Sequence, residues 1–505
     1  MKIFYLIFAL SLIIGMQITQ TQAADWRFSG SLFINTTPDG ASIPTGASVK
    51  DFPLLVRLHS DWFDFSQAQD NGADLRFVTP EGAPLGFQIE DWNPSSGNAS
   101  IWVRVPEIQG QATQEIKMKW GNPGAASKSS GKDVFNDSNG YLSVWHMGSQ
   151  VEDEVGTLSS EDTGTTETQG MVGHARHFEN RGVFCGDKIN SYPTGNSVHT
   201  SQAWFRSQAS RGRVMAWGNE KGQGKVVMQY RSPPRVHMEC YFSDANVDGD
   251  LNTKGPQWVH AVHTYRRGES LIYLNGVLAG TGNPRATPLN VESPSRMWIG
   301  GWYNNYDFVG DIDEVRVSNV IRSPEWIQLE YENQKPLQTL VGPITQGKSR
   351  FAASTDSVQL LEGQFAKLSV DAGGAQKIYW VSINGDEEKV LAVDRFTLTY
   401  DAGRVAGDEK RSLKIKAVYP DGLKTIDIPV EVKEFIPEPV FTLQAPLKWN
   451  GRDAIEITPV IQNMQQMKSA GYGQLTYDWK VAGLATITQI QDGKMILGRA
   501  QKSGV

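Results

Sequence analysis

The chain is poor in cysteine and in charge, and it has no long apolar run beyond its first residues. Only 2 of its 505 residues are Cys, too few for the disulfide framework of a small secreted scaffold. Charged residues make up 20% of the chain and the net charge is -7, without a basic tract. A dedicated nucleic-acid binder needs a positive stripe to displace counterions, so this class is disfavoured. No later segment reaches the ~20 apolar residues that cross a bilayer, so no transmembrane segment is expected in the mature chain.

Glycine and tryptophan, by contrast, are abundant, with 50 and 15 copies. Turn formers combined with aromatics, without helix-type charge patterning, are typical of all-β domains. The chain is too long for one core, and at roughly 100–150 residues per domain it has room for three to five domains. We therefore expect an all-β protein built from tandem β-sandwiches.

The first residues have the pattern of a secretory signal peptide. Lys2 precedes the apolar run 3–16, and the segment ends in Thr21-Gln22-Ala23. The run is shorter than the ~20 residues that span a membrane, and the small final residue suits a cleavage site. We expect a cleaved signal peptide at 1–23 and export to the periplasm, the cell surface or the medium. An uncleaved N-terminal anchor is the alternative.

Short alternating or β-branched runs that end in Gly, Pro, Asn or Asp recur along the chain, which is the pattern of strands joined by turns. Breaks in this pattern predict domains at 24–127, 128–345, 346–435 and 436–505. The Ser/Gly/Lys-rich stretch 127–132 is interpreted as a linker.

Two local patterns predict details of the second domain. Asn275-Gly276 between two apolar runs predicts a tight hairpin turn. Ser323 and Pro324 are a helix cap and a first-turn proline, and they open the one helical pattern, 323–333.

The two C-terminal segments share a weak repeat. Tyr379-Trp380 in one aligns with Tyr477-Asp478-Trp479 in the other, at a spacing of about one Ig-like domain. We therefore predict Ig-like folds for both. The last segment is too short for a seven-stranded sandwich, so we expect it to be incomplete and the natural protein to continue, with a frayed terminus as the alternative.

The second domain resembles the laminin-G-like module, a concanavalin A-like jellyroll. The motifs that carry this likeness are Trp258-Val259-His260, Leu271-Ile272-Tyr273-Leu274-Asn275-Gly276, Ile299-Gly300-Gly301 and Gly310-Asp311-Ile312-Asp313-Glu314-Val315-Arg316. The resemblance implies two facing antiparallel sheets, each with one face in the core.

Strict alternation along the predicted strands adds two expectations. In the closing strand, Asp313 and Val315 share one face, and Glu314 lies on the other. His260 and His263 lie three residues apart on a strand and therefore point to opposite faces, which disfavours a zinc site.

The first domain is similar to an uncharacterised β-sandwich domain that commonly precedes a laminin-G-like module in exported bacterial proteins. The motifs are Gly72-Ala73-Asp74-Leu75-Arg76-Phe77, Trp102-Val103-Arg104-Val105-Pro106 and Trp120-Gly121-Asn122. Relatives of this domain resemble proteins of proton-channel transport systems of the ExbB/TolQ type. A structural role in such an envelope assembly, with partners there, is therefore one alternative function.

A calcium loop is one interpretation of the segment 244–250. Asp244, Asn246, Asp248 and Asp250 stand at positions 1, 3, 5 and 7, with Gly at position 6 for the turn. Position 12 holds Gly255 instead of a bidentate Glu, and predicted strands flank the loop. A solvated acidic turn is the alternative.

The laminin-G-like resemblance implies a different, structural calcium site between an early loop and the last strand. Asp153 and Asp313 stand at the corresponding places. The alternative is that Asp313 hydrogen-bonds a turn while Asp153 is one of several surface carboxylates. Calcium is thus the one cofactor that we expect.

The two cysteines, Cys185 and Cys240, both lie in the predicted jellyroll. In an oxidising compartment they can form a disulfide. Two buried free thiols are the alternative, and the sequence leaves both open.

The segment Trp302-Tyr303-Asn304-Asn305-Tyr306 is a candidate sugar-binding loop. Sugar rings stack their C–H faces on aromatics, and amides suit their hydroxyl groups. The predicted ligand-binding residues are Trp302, Tyr303, Asn305 and Tyr306. A loop that covers the sandwich edge is the alternative.

No catalytic residue is predicted. Glycoside hydrolysis needs paired carboxylates, and the sequence contains neither the Glu-x-Asp-x-x-Glu run of related jellyroll glycosidases nor a Gly-x-Ser-x-Gly nucleophile motif. We therefore expect a non-catalytic glycan-binding or adhesion protein whose partner is a polysaccharide or a cell-surface glycan or protein. The targeting portion of a larger secreted polysaccharide-degrading enzyme is a further alternative.

Overall fold

The computed structural model describes residues 26–251, 256–303, 305–347, 350–448, 453–481, 485–491 and 493–499. The chain divides into two compact units, Met1–Gly347 and Lys348–Val505. Strands dominate both units, as the composition predicts. The predicted signal peptide, 1–23, lies outside the described residues. Within the described ranges, no helix is long and apolar enough to cross a membrane.

The first unit opens with a small β-sandwich. Its strands are β1 (Phe28–Asn35), β2 (Ser48–His59), β3 (Arg76–Val78), β4 (Pro84–Leu85), β5 (Phe87–Asn93), β6 (Asn98–Gln109) and β7 (Thr113–Trp120), with a short 3-10 helix at Phe65–Gln67. One sheet has the order β1-β7-β3-β4 and the other β2-β6-β5. Apolar side chains such as Leu54, Phe87 and Trp120 fill the core between them.

A larger sandwich of two sheets follows, preceded by the short helices α1 (Gly131–Val134) and Asp137–Asn139 and followed by α2 (Pro324–Gln334). Its strands are β8 (Tyr141–Trp145), β9 (Glu161–Asp162), β10 (Thr166–Gln169), β11 (His174–Glu179), β12 (Val183–Ile189), β13 (His199–Ser207), β14 (Arg211–Gly218), β15 (Lys225–Arg231), β16 (Arg235–Glu239), β17 (Val247–Asp250), β18 (Val259–Arg266), β19 (Glu269–Leu274), β20 (Val277–Gly282), β21 (Ser295–Ile299) and β22 (Val309–Ser318). Sheet I has the order β10-β11-β22-β13-β18-β19-β20, with β8 also paired to β22. Sheet II has the order β17-β16-β15-β14-β21-β12-β9.

Both local predictions for this sandwich are confirmed. Asn275 and Gly276 have φ of 50° and 81° and join β19 to β20, because the tight hairpin turn needs two left-handed residues. Helix α2 begins at Pro324, and the Ser323 side chain accepts a hydrogen bond from the Trp326 backbone N–H.

The alternation along β22 breaks at Glu314. This residue has φ of 50°, and the register with β13 shifts beside it, which marks a β-bulge. Ile312 and Val315 therefore both face the core. Asp313 is the Cα partner of Trp204, whose ring stacks on α2, so Asp313 lies on the outer face of sheet I. The prediction that Asp313 and Val315 share a face is wrong.

The two sandwiches of the first unit pack against one another. The Leu55 backbone N–H on β2 donates to Asn333 Oδ1 of α2 at 2.7 Å, and Asn333 Nδ2 donates back to the Leu55 carbonyl at 2.9 Å. After α2 the chain returns to β1, where Thr345 pairs with Ser31. The stretch predicted as a linker instead pairs with β5 through Ser129. One hydrophobic core includes residues of both sandwiches.

The second unit begins with a two-sheet sandwich, in keeping with the Ig-like prediction. Its strands are β23 (Ala352–Ala353), β24 (Val358–Leu361), β25 (Phe365–Asp371), β26 (Lys377–Asn384), β27 (Glu387–Val393), β28 (Thr397–Asp401), β29 (Glu409–Tyr419) and β30 (Gly422–Lys433), in sheets of order β23-β25-β28 and β24-β30-β29-β26-β27. Trp380, from the predicted repeat, is buried in this core. A sheet of order β31-β32-β34-β33 follows, formed by β31 (Phe441–Gln444), β32 (Ile455–Ile461), β33 (Ala485–Gln491) and β34 (Lys494–Arg499), with α3 at Met464–Ser469.

Cys185 and Cys240 are both free and buried, so the predicted disulfide is not formed. Cys185 lies on β12 and Cys240 directly follows β16, with β15, β14 and β21 between these two strands. At about 4.8 Å per strand this separates the residues by roughly 19 Å. A disulfide needs Cα atoms within about 7 Å. Burial raises the pKa of both thiols, which keeps them protonated.

Candidate functional site

The two outer faces of the jellyroll have different surroundings. Helix α2 covers part of the outer face of sheet I, where Gln202 and Trp204 donate side-chain hydrogen bonds to Glu330 and Gln334 at 2.7 and 2.6 Å. The outer face of sheet II instead presents aromatic and charged side chains of β12, β15 and β21 and of the loop after β21. This second face is the candidate binding site.

Trp298 is at the centre of the aromatic cluster on sheet II. It lies on β21 between two residues that face the core, so alternation directs its indole outward. Its ring centroid lies 4.9 Å from that of Phe184, 5.0 Å from Trp302 and 5.1 Å from Tyr303. Aromatic pairs at these separations attract each other beyond simple area burial. The cluster therefore holds its rings in a fixed arrangement.

The members of this cluster differ in how much they expose. Trp298 and Trp302 are each 5% exposed, whereas Tyr303 is 37% exposed. Phe184 and Tyr306 are half-buried. The two indoles thus form a floor, and the other three rings offer the accessible surface.

Charged side chains are placed against the same rings. The Arg296 guanidinium lies 5.0 Å from the centroid of the Tyr303 ring and donates to its hydroxyl. The Lys225 ammonium lies 5.3 Å from the Trp302 ring and 3.1 Å from the Glu220 carboxylate, which also accepts from the Trp302 indole N–H. These cation–π and hydrogen-bond contacts orient the rings and leave polar groups at the rim.

A cleft of about 300 Å³ runs beside the aromatic cluster. Its lining combines aromatic rings with acidic, basic and hydroxyl groups, contributed by Glu161, Thr163, Phe184, Asp187, Arg296, Trp298, Tyr303 and Tyr306. Sites for small molecules occupy about 300–1,000 Å³ and use a few polar groups to orient the ligand. The cleft therefore has the size of a small-molecule site, with both aromatic and polar groups in its lining.

The predicted aromatic loop forms one wall of this site. Tyr303 and Tyr306 line the cleft, and Trp302 lies below them. The Trp302 N–H donates to the Asn305 carbonyl at 3.1 Å and the Asn305 N–H donates back at 3.2 Å, so these two residues close a tight turn. Asn304 lies outside the described residues. Ligand binding by the four named residues stays a prediction.

Sequence analysis missed Phe184, Trp298, Arg296 and Lys225 as members of the same face. Alternation carries the signal that identifies two of them. Once Met297 is assigned to the core, Arg296 and Trp298 must share the opposite face of β21. The pairing of β12 and β15 within sheet II is a long-range feature that periodicity does not reveal.

The residues of the predicted calcium loop lie on a bend and on β17. Asp244 and Asn246 accept hydrogen bonds from backbone N–H groups. Asp248 Oδ1 lies 2.7 Å from His237 Nδ1. Asp248 and Asp250 are exposed on the strand, and position 12 of the loop, 255, lies outside the described residues. These contacts suit the alternative of an acidic turn, and calcium binding here stays a prediction.

The two carboxylates of the implied structural calcium site are both buried. Asp153 accepts four backbone N–H groups at 2.9 to 3.2 Å. Asp313 Oδ2 accepts two backbone N–H groups, and its Oδ1 has no hydrogen-bond partner within the described residues. Burial raises the pKa of Asp313 well above its usual range, and the charges of Glu314 and Glu90 add to this shift. A calcium role for either residue stays a prediction.

Within the described part of the chain, one group of His, Cys, Asp and Glu side chains is close enough to hold a metal ion: Glu90, His146 and Glu314. His146 Nδ1 lies 2.7 Å from Glu314 Oε1 and 3.6 Å from Glu90 Oε2. Burial raises the pKa of Glu90 to about 8. Burial alone would lower the pKa of His146, but the two carboxylates raise it to about 9. Sequence analysis missed this group because its members come from two predicted domains.

Two family models match parts of the first unit. Residues 71–143 match a domain of unknown function, DUF2341, and residues 187–328 match the concanavalin A-like lectin/glucanases superfamily. The chain therefore carries a DUF2341 domain followed by a concanavalin A-like domain. Both resemblances stated from the sequence motifs are confirmed, and the aromatic cluster on sheet II lies almost wholly within the second match.

Several solved structures resemble parts of the chain. Domain 4 of AbnA, a GH43 extracellular arabinanase from Geobacillus stearothermophilus solved with arabinotriose, is 16% identical, with a TM-score of 0.31 and coverage of 37% of this chain and 97% of that one. The binding domain of botulinum neurotoxin DC, solved with rat synaptotagmin II, is 10% identical (TM-score 0.33; 65% and 80% covered). A SAP-like pentraxin from Limulus polyphemus is 13% identical (TM-score 0.23; 30% and 83% covered). All three TM-scores are below 0.5, so these likenesses leave the function open. No curated protein matches the sequence.

Proposed function

We propose that the protein binds a glycan at the outer face of sheet II and does not cleave it. The observation that carries this proposal is the accessible aromatic surface of Phe184, Tyr303 and Tyr306 beside a cleft with mixed polar lining. The match of this domain to a lectin and glucanase superfamily supports the same class of ligand.

Stacking of sugar rings is the expected main contribution to affinity. The C–H faces of a pyranose are apolar, and an exposed phenol ring at 37% accessibility offers a flat surface for them. Tyr303 packs on the Trp298 ring, and the Arg296 guanidinium lies over the Tyr303 ring. Because these contacts already fix the ring, little side-chain entropy is lost on binding.

Polar groups at the cleft determine which glycan is selected. Arg296 supplies N–H donors, whereas Glu161 and Asp187 supply acceptors. A neutral sugar offers hydroxyl groups that both donate and accept, so it satisfies both kinds of group. A strongly anionic polysaccharide would meet two carboxylates in the same cleft, and we expect weaker binding of such ligands.

The absence of cleavage is part of the proposal and has its own test. Glu161 and Asp187 are the acidic side chains of the cleft, and hydrolysis would need such a pair as acid and base or nucleophile. We expect no release of reducing ends from any polysaccharide that the protein binds. Turnover that is lost in Glu161→Gln would contradict the non-catalytic proposal.

The proposal is tested by measuring the binding of the full chain to a glycan array and then, for each hit, by titration calorimetry. Tyr303→Ala removes the most exposed ring, and we expect a loss of about tenfold in affinity, equivalent to about 1.4 kcal/mol. Tyr477→Ala is the matched control, because Tyr477 is 38% exposed and belongs to the other unit.

An equal effect of both substitutions, or no hit on the array, would reject glycan binding at this face. Each titration is repeated with calcium and with a chelator, because a structural calcium ion remains part of the proposal. We also propose that the protein is exported and acts in adhesion at the cell envelope. Cell fractionation of the source organism tests that location.

A further inference from the structure

Three ionisable side chains from different parts of the first unit meet at the contact between its two sandwiches. Glu90 lies on β5 of the first sandwich, His146 directly follows β8, and Glu314 lies on β22. One ligand atom from each lies within 4.8 Å of the others. The side chains of Glu90, His146 and Glu314 are 6%, 5% and 1% exposed. The group is therefore closed to bulk water.

Each of the three side chains is oriented by an outer partner. The Trp102 indole N–H donates to Glu90 Oε2 at 2.5 Å. The His146 Nε2 lies 3.1 Å from Gln88 Oε1, an acceptor that places the ring proton on Nε2 and leaves Nδ1 facing the carboxylates. Arg316 donates to Glu314 Oε2, which leaves Oε1 directed at His146. Such outer partners fix metal ligands in known sites.

An unpaired oxygen of Glu90 is a second, independent observation that favours a bound cation. Its Oε1 is buried without a hydrogen-bond partner within the residues that the structure describes. A buried carboxylate oxygen without a hydrogen-bond donor lowers the stability of the fold, and such oxygens are rare in native proteins. A cation at the centre of the group would satisfy this oxygen.

The backbone at both acidic positions is specialised. The register between β5 and β6 shifts at Glu90, and the register between β22 and β13 shifts beside Glu314. Bulges of this kind turn a side chain out of the ordinary alternation. Both carboxylates are thus brought to the same point by local departures from regular strand geometry.

The charges around the group favour a cation. Glu90, Glu314 and the nearby Glu330 are three buried carboxylates, and Arg316 contacts two of them, at 2.5 and 2.9 Å. Metal binding requires a neutral imidazole and ionised carboxylates, and in that state three negative charges surround the one guanidinium of Arg316. A divalent ion would balance the remaining two negative charges, and without a metal protons on His146 and Glu90 balance them instead.

We propose that Glu90, His146 and Glu314 bind one divalent transition-metal ion, which joins the DUF2341 sandwich to the jellyroll. One imidazole and two carboxylates suit Zn²⁺ or Mn²⁺, whereas Ca²⁺ prefers oxygen ligands alone. Ligand atoms around a tetrahedral zinc ion are about 3.3 Å apart. The distances of 2.7 and 3.6 Å from His146 Nδ1 bracket this value, so small side-chain shifts complete the site.

The site is structural rather than catalytic. Its ligands come from both sandwiches and are buried, so the ion would enter as the two sandwiches dock and would stabilise their contact. This inference does not depend on glycan binding, because sheet II contributes no ligand.

The experiment uses the full chain without an affinity tag, unfolded in guanidinium with a chelator and refolded with Zn²⁺, with Mn²⁺ or with chelator alone. Bound metal is measured by mass spectrometry after desalting, and thermal unfolding is measured in parallel. We expect about one equivalent of Zn²⁺ or Mn²⁺ per chain and a higher melting temperature than in chelator.

His146→Gln and Glu90→Gln are close in shape to the native side chains, and each should weaken metal binding by about 10–100-fold or more. His260→Gln is the matched control, because His260 is equally buried on the same face of sheet I but outside the group. It should retain about one equivalent.

Less than about a tenth of an equivalent in the refolded wild type, with equal melting temperatures in metal and chelator, would overturn the proposal. The same is true if His146→Gln retains the metal. X-ray absorption at the zinc edge separates this site from an adventitious thiol site. Nitrogen and oxygen neighbours support the group, and sulfur neighbours contradict it.

Discussion

Replacing Arg316 with methionine tests how the contact between the two sandwiches is stabilised. Arg316 is fully buried, its guanidinium donates to Glu314 and Glu330, and it stacks 4.6 Å above the Trp102 ring. Methionine keeps most of the volume but removes the charge. Two buried carboxylates then lose their cation, and breaking a buried ion pair costs about 3–5 kcal/mol.

The assay is scanning calorimetry in chelator, so that bound metal does not contribute. The second unit, which lies outside the substitution, provides an internal reference transition. For a unit of this size, a cost of about 3–5 kcal/mol lowers the melting temperature by about 4–7 °C. Only the transition of the first unit should move.

The matched control is Arg206→Met on the same sheet. Arg206 pairs with the buried Asp311 at 2.6 Å but is about one-third exposed, and Asp311 keeps His177 as a partner at 2.7 Å, so the loss of Arg206 should cost less than the loss of Arg316. The double variant Arg316→Met with Glu330→Gln should be less destabilised than the sum of the single variants. A cost for Arg316→Met no greater than that for Arg206→Met, or strict additivity in the double variant, would refute the reasoning.

Three further predictions concern the jellyroll core and its turns. Burial lowers the pKa of His199 to about 4, so as the pH falls below the unfolded value near 6.5, only the unfolded chain takes up this proton and the folded state loses stability. His199 should contribute about 2 kcal/mol to the loss between pH 7 and pH 5, in addition to His260 and His263, whose pKa burial also lowers, and the loss measured by denaturant unfolding should be smaller in His199→Gln. Cys185 and Cys240 should react with a thiol reagent only after unfolding, and a reductant should leave the melting temperature unchanged; one disulfide in a mass spectrum would contradict this. Gly276→Ala should cost about 1–2 kcal/mol, because Gly276 has φ of 81° and an added Cβ would contact α2 at 3.2 Å. Gly268→Ala, with φ of 84° and no contact closer than 3.7 Å, should cost less in the same assay.

The features that local sequence predicts best are those that local physics determines. Asn275-Gly276 favours a left-handed hairpin turn in most surroundings. Ser323 begins a helix because its side chain accepts a hydrogen bond from a first-turn N–H group, and Pro324 suits the first turn because it has no N–H group to leave unpaired. Both predictions are confirmed in the structure. The two resemblances likewise rest on contiguous motifs and predict the domain order.

The failures have a common cause in long-range pairing. The sequence left open whether Cys185 and Cys240 form a disulfide, because the three strands that separate β12 from β16 in sheet II are not evident from the order of strands along the chain. The alternation prediction for β22 failed because β22 has a bulge at Glu314, where its register with β13 shifts, and strict alternation does not predict a bulge. The linker prediction rested on the polar composition of 127–132. It failed because β5 is the edge strand of its sheet and Ser129 pairs with it, which composition does not reveal.

The candidate binding face and the contact between the two sandwiches both follow from how the jellyroll is packed. The jellyroll has two outer faces. Part of the outer face of sheet I is buried against α2 and the first sandwich, so this part holds the two sandwiches together. The charged group around Arg316 can exist there only because the contact excludes water and the outer partners satisfy its atoms. Sheet II is then the face on which aromatic rings such as Tyr303 stay accessible. We therefore expect substitutions at Arg316 to change stability without changing the affinity for a glycan, and Tyr303→Ala to do the reverse.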